Sequence, residues 1–312
     1  ALDDLTVTGD LDAFNAADSD YDTVRVTAAT GALVIDNGVN SFTVDPSAAA
    51  DVTYAHTSDT LTVNDYTDAS DITITDANDL VDTLAVTAQG GKALDDLTVT
   101  GDLDAFNAAD ADYDTVRVSA ATGPLVIDNG MNSFTVSPTA AADLTYDNST
   151  DTLTVNDYTD ASDIAITDAN DLVDTLAVTA QGGKALDDLT VTGDLDAFNA
   201  ADADYDTVRV TAATGPLVID NGTNSFTVDP SAAADVTYAQ ATDTLTVNDY
   251  TDASNLVITD ANDLVDTLTV NAQGGKSLGD LTVTGDLDGL NAADSDYDTV
   301  RVTAATGPLV ID

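Results

Sequence analysis

The sequence predicts an all-β protein built as a parallel β-solenoid of about ten coils. A unit of 92 residues repeats along the chain: the stretch that begins at Ala1 returns at Ala93, at Ala185 and, slightly altered, at Ser277. Short apolar triplets alternate with period two, which is typical of half-buried strands. All the acidic residues are aspartate, a poor helix former that favours turns, so the composition suits strands and tight turns.

The repeat divides the 312 residues into three full copies and one partial copy. The predicted segments are repeat 1 at residues 1–92, repeat 2 at 93–184, repeat 3 at 185–276 and the partial repeat 4 at 277–312. Stacked units of this size bury a continuous core that no single unit could bury. The fixed period therefore favours a solenoid.

Eight triplets mark the predicted strands of the first repeat, and the central residue of each, usually threonine, is expected to point outward. In order they are Leu5-Thr6-Val7, Val24-Arg25-Val26, Leu33-Val34-Ile35, Phe42-Thr43-Val44, Val52-Thr53-Tyr54, Leu61-Thr62-Val63, Ile72-Thr73-Ile74 and Leu84-Ala85-Val86. Residues 4–31, 32–59 and 60–95 can be superposed so that their apolar sites coincide. Each of these stretches would form one coil of a three-sided solenoid.

A second arrangement is a string of immunoglobulin-like β-sandwich domains, one for each 92 residues. The unit length suits such a domain, which has about 100 residues and seven strands. Asn37-Gly38 is a hairpin signal between two triplets. The triplets at 52–54 and 61–63 would also pair around a turn at 56–59. The sequence leaves the solenoid and the sandwich string both open.

The charge and composition disfavour several function classes. The formal net charge of −50 repels phosphate backbones and anionic lipids, so we expect neither nucleic-acid binding nor membrane insertion. The chain has no cysteine, and its one histidine, His56, does not recur and is expected at a turn. No set of nucleophile, base and orienting group is present, so we expect no enzymatic activity.

The motif that best fits a ligand is a run of alternating aspartates in each repeat. Three carboxylates on one side of a loop repel one another unless a cation is bound, and Ca²⁺ prefers six to eight oxygen ligands. The sequence therefore predicts calcium sites, with a solvated acidic loop as the alternative. The predicted ligands are Asp18, Asp20 and Asp22 in repeat 1, Asp110, Asp112 and Asp114 in repeat 2, Asp202, Asp204 and Asp206 in repeat 3, and Asp294, Asp296 and Asp298 in repeat 4.

Other recurring residues carry weaker hypotheses. A second acidic cluster comprises Asp65, Asp68, Asp71, Asp76 and Asp79. One arginine per repeat occupies the centre of a Val-x-Val triplet, where it would clamp a carboxylated ligand or pair with surface aspartates; these are Arg25, Arg117, Arg209 and Arg301. Outward threonine pairs such as Thr6 and Thr8 raise the hypothesis of an ice-binding surface.

Segments such as DTLTVND at 59–65 and DTLAVTAQGG at 82–91 resemble those of giant repetitive, acidic secreted surface proteins of bacteria and archaea. These include biofilm-associated proteins and calcium-dependent adhesins. The chain departs from the RTX family, because the glycine-rich nonapeptide of that family is missing. The resemblance implies an extracellular or cell-surface structural role, as a fibre, surface layer or biofilm-matrix filament, or an adhesive module.

The predicted partners are copies of the chain itself. Residue 1 enters a coil directly, and the last triplet, Leu309-Val310-Ile311, lies inside another. A solenoid end exposes unpaired strand edges. We therefore expect either a head-to-tail polymer or a longer covalent array.

Overall fold

The computed structural model is almost entirely β-structure and confirms the predicted all-β solenoid. It describes residues 2–11, 13–15, 21–36, 39–65, 67, 69–88, 92–107, 112–128, 132–157, 159, 161–180, 184–199, 204–220, 223–249, 251–292 and 296–311. Within these residues the one helical segment is a short 3₁₀ turn, Gln240–Thr242. The chain forms two compact units, Ala1–Leu153 and Thr154–Asp312.

The strands are short and follow one another closely along the chain. They are β1 Leu2–Leu11, β2 Phe14–Asn15, β3 Tyr21–Ala29, β4 Leu33–Asp36, β5 Ser41–Pro46, β6 Ala50–Ala55, β7 Thr60–Asp65, β8 Ile72–Asp76, β9 Thr83–Ala88, β10 Ala93–Leu103, β11 Ala105–Asn107, β12 Asp112–Ala121, β13 Leu125–Asp128, β14 Ser133–Pro138, β15 Ala142–Asp147, β16 Thr152–Asp157, β17 Ile164–Asp168, β18 Thr175–Ala180, β19 Ala185–Leu195, β20 Ala197–Asn199, β21 Asp204–Ala213, β22 Leu217–Asp220, β23 Ser225–Pro230, β24 Ala234–Ala239, β25 Thr244–Asp249, β26 Leu256–Thr259, β27 Thr267–Ala272, β28 Ser277–Leu287, β29 Gly289–Ala292, β30 Asp296–Ala305 and β31 Leu309–Ile311.

Each unit contains two stacked sheets. In the first unit the strand orders are β1-β3-β6-β7-β9-β11-β13-β14 and β2-β4-β5-β8-β10-β12-β15. In the second unit they are β17-β19-β21-β24-β25-β27-β29-β31 and β18-β20-β22-β23-β26-β28-β30. Most neighbouring strands are parallel, as the winding of a solenoid requires.

The sequence prediction was wrong about the shape and length of one coil. A turn passes through two sheets, so the solenoid is two-sided rather than three-sided. Paired residues of successive turns are 19 residues apart for Leu5 and Val24, and 25 apart for Ile72 and Leu97. Turns of this length are shorter than the superposed stretches had suggested, because each turn contains two strands instead of three.

Two strands of each repeat run opposite to their neighbours. In the first repeat these are β5 and β6, which pair antiparallel with β4 and β7. Leu33 pairs with Val44 across one hairpin and Val52 pairs with Val63 across the other, as the hairpin signals predict. The hairpins are local reversals inside the solenoid and do not mark separate sandwich domains.

Successive repeats are joined by strand pairing. Strand β8 of repeat 1 pairs with β10 of repeat 2 over five residues, from Ile72 with Leu97 to Asp76 with Gly101. The corresponding strands β17 and β19 pair over the same five positions in the second unit. The alternative of one independent sandwich per 92 residues is therefore wrong.

Within the part of the chain that the structure describes, each full repeat contributes nine strands, an odd number, and the strands form two sheets in each unit. Equivalent strands of successive repeats consequently lie in different sheets. In the first unit β1 and β10 have equivalent sequences but belong to the two different sheets of that unit, and so do β19 and β28 in the second unit. A surface feature of one repeat therefore reappears on the opposite sheet in the next repeat.

The core lies between the two sheets of each unit. Inward and outward residues alternate along the strands, so in β7 Leu61, Val63 and Asp65 are buried. The rings of Phe42 and Tyr54 meet edge to face with centroids 4.8 Å apart. The same ring pair recurs in the next two repeats, with the same separation. Apolar side chains fill most inward positions, and a few buried aspartates interrupt them.

Candidate functional site

The predicted calcium ligands that the structure describes lie at the beginning of β3, β12, β21 and β30. Asp22, Asp114 and Asp206 are exposed on β3, β12 and β21, and Asp296 and Asp298 are exposed on β30. Asp112 and Asp204 lie on β12 and β21, but the structure describes only their backbones. The remaining predicted ligands lie outside the described residues: Asp18, Asp20, Asp110, Asp202 and Asp294.

The alternation that motivated the calcium hypothesis is most complete in repeat 4. Asp296 and Asp298 are two residues apart on one strand, so their side chains project from the same face. The Ser277 hydroxyl donates a hydrogen bond to Asp296 Oδ2 at 3.0 Å. Within the described residues no group of three or more acidic, histidine or cysteine side chains is gathered around a common point. Calcium binding by these motifs therefore stays a prediction.

The second acidic cluster does not stay together as the sequence suggested. Asp65 and Asp76 point into the core, with 0% and 2% of their surfaces exposed. Asp71 and Asp79 are exposed, and Asp68 lies outside the described residues. The alternation of inward and outward positions separates these carboxylates, so the prediction of one cluster was wrong.

Asp65 is held by the turn that follows strand β7. The Thr67 backbone N–H donates to Asp65 Oδ1 at 2.8 Å, and the buried Ser70 hydroxyl donates to Oδ2 at 2.5 Å. The same bonds recur at Asp157 and at Asp249. The carboxylate shapes the turn by accepting bonds from residues two and five positions further on, as short acidic side chains do in turns.

Asp76 accepts hydrogen bonds from three backbone N–H groups. Leu80 and Val81 donate to Oδ2 at 2.8 and 2.7 Å, and Asn78 donates to Oδ1 at 3.3 Å. Asp168 and Asp260 repeat this arrangement. Charge-assisted bonds from backbone N–H groups offset the cost of burying a carboxylate.

The neighbouring repeat packs closely against the backbone of Asp76. Gly101, its partner on β10, has φ +138°, and a Cβ added there would lie 1.9 Å from the Asp76 carbonyl oxygen. Only glycine fits at this position, which explains why Gly193 and Gly285 occupy it in the later repeats with the same close approach. The buried aspartate thus lies at the junction of two repeats.

Tyrosines link the core to a separate acidic surface. Tyr54 Oη lies 2.9 Å from Asp59 Oδ1 and 2.9 Å from the Leu80 carbonyl oxygen. Burial, then the bond and charge of Asp59, raise the pKa of Tyr54. Tyr238 makes equivalent bonds with Asp243 and with the Leu264 carbonyl. The phenol therefore stays neutral and holds the turn against the core.

The acidic surface beyond this turn is electrostatically unfavourable. Partial burial, then repulsion from Asp102, Asp82 and Asp104, raises the pKa of Asp79. Equivalent causes raise the pKa of Asp171 and of Asp263. A carboxyl whose pKa rises on folding binds its proton more tightly in the folded chain. The protonated carboxyl therefore adds to the free energy of unfolding at pH values below its ordinary pKa of about 4. This addition is lost as the pH rises through the raised pKa.

The arginines and the histidine take surface positions. Arg25, Arg117, Arg209 and Arg301 are exposed on outward faces of their strands. Arg25 lies between Thr6 and Thr53 on the neighbouring strands. His56 is in the turn after β6, as expected, with Nδ1 3.6 Å from Asp59 Oδ1. A clamp for a carboxylated ligand stays a hypothesis.

Comparison with known proteins gives no match that would assign the chain to a family. No protein-family model, curated protein or solved structure matches it. Across the described residues, no helix has the length and apolar character needed to cross a membrane.

Sequence reasoning missed the inward role of Asp65 and Asp76, although a signal for it was present. In TLTVND, the apolar residues at 61 and 63 define the inward face, and position 65 continues it. In ITITD, positions 72 and 74 place residue 76 inward in the same way. The density of aspartate suggested a metal cluster, whereas period two assigns these residues to the core.

We expect Asp76→Ala to lower the free energy of unfolding by about 3 kcal/mol, because buried N–H groups would lose their acceptor. Asp76→Asn should cost less, since its side-chain oxygen still accepts. Urea unfolding followed by circular dichroism measures the change, with Asp45→Ala, at an exposed position of β5, as the matched control. A loss for Asp76→Ala no greater than that of the control would contradict the structural role of this carboxylate.

Proposed function

We propose that this chain is a structural repeat protein of the cell exterior, forming part of a fibre, surface layer or biofilm-matrix filament. The observation that carries the proposal is the recurrence of one pairing between successive repeats. Ile72 pairs with Leu97, Ile164 with Leu189 and Leu256 with Leu281. At each of these junctions the later repeat adds a strand beside a strand of the repeat before it.

Repeated contacts of this type make an assembly longer with each copy that is added. A head-to-tail interface that does not close by rotation generates filaments, whether the copies belong to one chain or to several. Copies of the chain are accordingly the proposed partners, in a polymer or a longer array. Near-identical repeats present the same surface many times, which suits a scaffold better than an enzyme with one specialised pocket.

The surface composition agrees with an exterior location. A net charge of −50 keeps such an array soluble and separates neighbouring arrays at low salt. Because the chain has no cysteine, disulfides do not contribute to its stability, whereas the core and turn networks such as those of Asp65 and Asp76 do. A non-reactive, repetitive, strongly charged surface is suited to a matrix or a surface coat.

Antibody labelling of the native cells, viewed by electron microscopy, tests the proposed role. We expect the label on fibres, a surface layer or the matrix between cells. An antibody against an established cytoplasmic protein of the same cells is the control. Labelling confined to the cytoplasm would overturn the proposal.

Calcium is proposed as the stabilising ion of the aspartate motifs. The support is the placement of Asp296 and Asp298 on one exposed face, together with repulsion among carboxylates that a divalent cation would relieve. A ligand that binds only the folded chain raises its stability by mass action. Such an ion would not enter any reaction but would tie the start of a strand to the preceding loop.

We expect removal of Ca²⁺ by chelator to lower the melting temperature and Ca²⁺ to restore it. The response should weaken in a variant that carries Asp20→Asn, Asp112→Asn, Asp204→Asn and Asp296→Asn. Ionic strength is held constant with monovalent salt, because screening alone also relieves repulsion. An unchanged melting temperature between chelator and millimolar Ca²⁺ would show that these motifs are only solvated loops.

A second candidate function is an adhesive or ice-binding surface. It is favoured by rows of outward threonine on neighbouring strands, such as Thr237, Thr246 and Thr269 in the second unit. The equivalent row in the first unit is Thr53, Thr62 and Ala85, so the threonines are not continuous. An ice-recrystallisation assay separates this function from a purely structural one.

A further inference from the structure

One tyrosine position recurs with a buried hydroxyl that has no hydrogen-bond partner among the described residues. It is occupied by Tyr113, Tyr205 and Tyr297. Tyr113 and Tyr205 are only 2% and 1% exposed. The other recurring core tyrosine behaves differently, since the hydroxyls of Tyr54 and Tyr238 are bonded to carboxylate and carbonyl oxygens. Buried hydroxyl groups normally have a partner, so the exception needs an explanation.

The polar group that acts on this hydroxyl is the buried carboxylate of the preceding repeat. Burial and then the charge of Asp65 raise the pKa of Tyr113. The same two causes act on Tyr205 through Asp157 and on Tyr297 through Asp249. Ser70, whose hydroxyl donates to Asp65, accepts a backbone hydrogen bond from Asp95 N–H at 3.0 Å, and the adjacent Leu94 is paired with Tyr113. The hydroxyl and the carboxylate therefore belong to adjoining segments of the core, but no direct hydrogen bond joins them.

The residues paired with the buried carboxylate have small side chains. Asp65 is paired with Ala50 on one neighbouring strand and with Ala88 on the other. Asp249 is paired in the same way with Ala234 and Ala272. Alanine is the smallest side chain with a Cβ, so each buried carboxylate has low side chains on both sides.

The carboxylate also has acceptor capacity to spare. Among the described residues, Asp76 accepts hydrogen bonds from three donors, whereas Asp65 accepts from two, Thr67 and Ser70. A carboxylate offers about four lone-pair sites. A third donor would give Asp65 the complement that Asp76 has.

We propose that each repeat junction binds one water molecule, which bridges the tyrosine hydroxyl of one repeat to the buried aspartate of the repeat before it. The three bridges join Tyr113 to Asp65, Tyr205 to Asp157 and Tyr297 to Asp249. Each water accepts from the hydroxyl, or donates to it, and donates to the carboxylate. Both polar groups are thereby satisfied in the core.

Water fits this position better than a metal ion. A buried water typically makes about three hydrogen bonds and needs two to four polar partners, and the hydroxyl and the carboxylate supply two of them. Calcium takes six to eight oxygen ligands, and the site offers a single carboxylate. The proposal is separate from the calcium motifs and does not depend on where the protein acts.

The bridge would define how one repeat stacks on the next. The tyrosine and the aspartate that it joins belong to different repeats. Both side chains point into the core only when the strands pair in the observed register. A slip of one residue would turn the tyrosine outward and leave the aspartate without its third donor. Buried polar contacts of this kind can specify register even where they add modest stability.

The test combines Tyr113→Phe, Tyr205→Phe and Tyr297→Phe in the full chain. If the hydroxyls are bridged, the variant unfolds more readily, with an equilibrium constant changed about two- to tenfold per junction. Tyr54→Phe, which removes direct bonds, is the positive control. A stability unchanged or raised by the triple substitution would overturn the proposal, because deleting an unbonded buried hydroxyl costs nothing.

Two further measurements identify the occupant. Asp65→Ala combined with Tyr113→Phe should cost less than the sum of the two single substitutions, since each removes one end of the same bridge. In the unsubstituted protein, nuclear Overhauser contacts from the Tyr113 ring to long-lived water should be present. Independent effects with no such contacts would overturn the proposal. So would stabilisation by Na⁺, K⁺ or Ca²⁺ at constant ionic strength that is lost in Tyr113→Phe, because the occupant would then be an ion.

Discussion

The register between stacked strands is the constraint on which the rest of this structure depends. Side chains alternate strictly between the core and the surface, so one residue of slip would exchange the two sets. In β7 such a slip would bring threonine and asparagine inward and expose Leu61, Val63 and Asp65. The turn bonds of Asp65 and the close contact between Asp76 and Gly101 are all available in a single register. Burial of apolar side chains drives folding, and these polar contacts determine which register the strands adopt.

The odd number of strands per repeat determines which of the two sheets carries each surface residue. Arg25 and Arg117 occupy equivalent positions in sequence but lie on the two different sheets of the first unit. In the second unit the acidic turns of Asp171 and Asp263 accordingly follow strands of different sheets, β17 and β26. Adjoining turns still bring like charges of successive repeats together, because Asp79 is repelled by Asp102 and Asp171 by Asp194, each in the next repeat.

Much of the fold could be predicted from the sequence because period and alternation are local properties. The triplets were confirmed as strands, and both hairpin pairings were confirmed at residue level, including Leu33 with Val44. The number of sheets in each turn could not be predicted from the sequence. Alternation along a strand shows which face is buried, but it does not show which other strands that face packs against. The buried aspartates were missed for a related reason: their chemistry suggested a ligand, while their position in the alternation placed them in the core. The calcium motifs are in part outside the described residues, and that prediction stays a prediction.

Cysteine cross-linking tests the stacking of turns most directly, since the native chain contains no cysteine. Thr62 on β7 and Ala85 on β9 are paired neighbours that face outward, although 23 residues separate them. A variant with Thr62→Cys and Ala85→Cys should form a disulfide readily on mild oxidation, because paired positions lie within the 4.4–6.8 Å Cα range of disulfides. A variant with Thr62→Cys and Thr87→Cys, displaced by two residues along β9, should react far more slowly. Equal rates, or faster reaction of the displaced pair, would contradict the two-sided solenoid and its register.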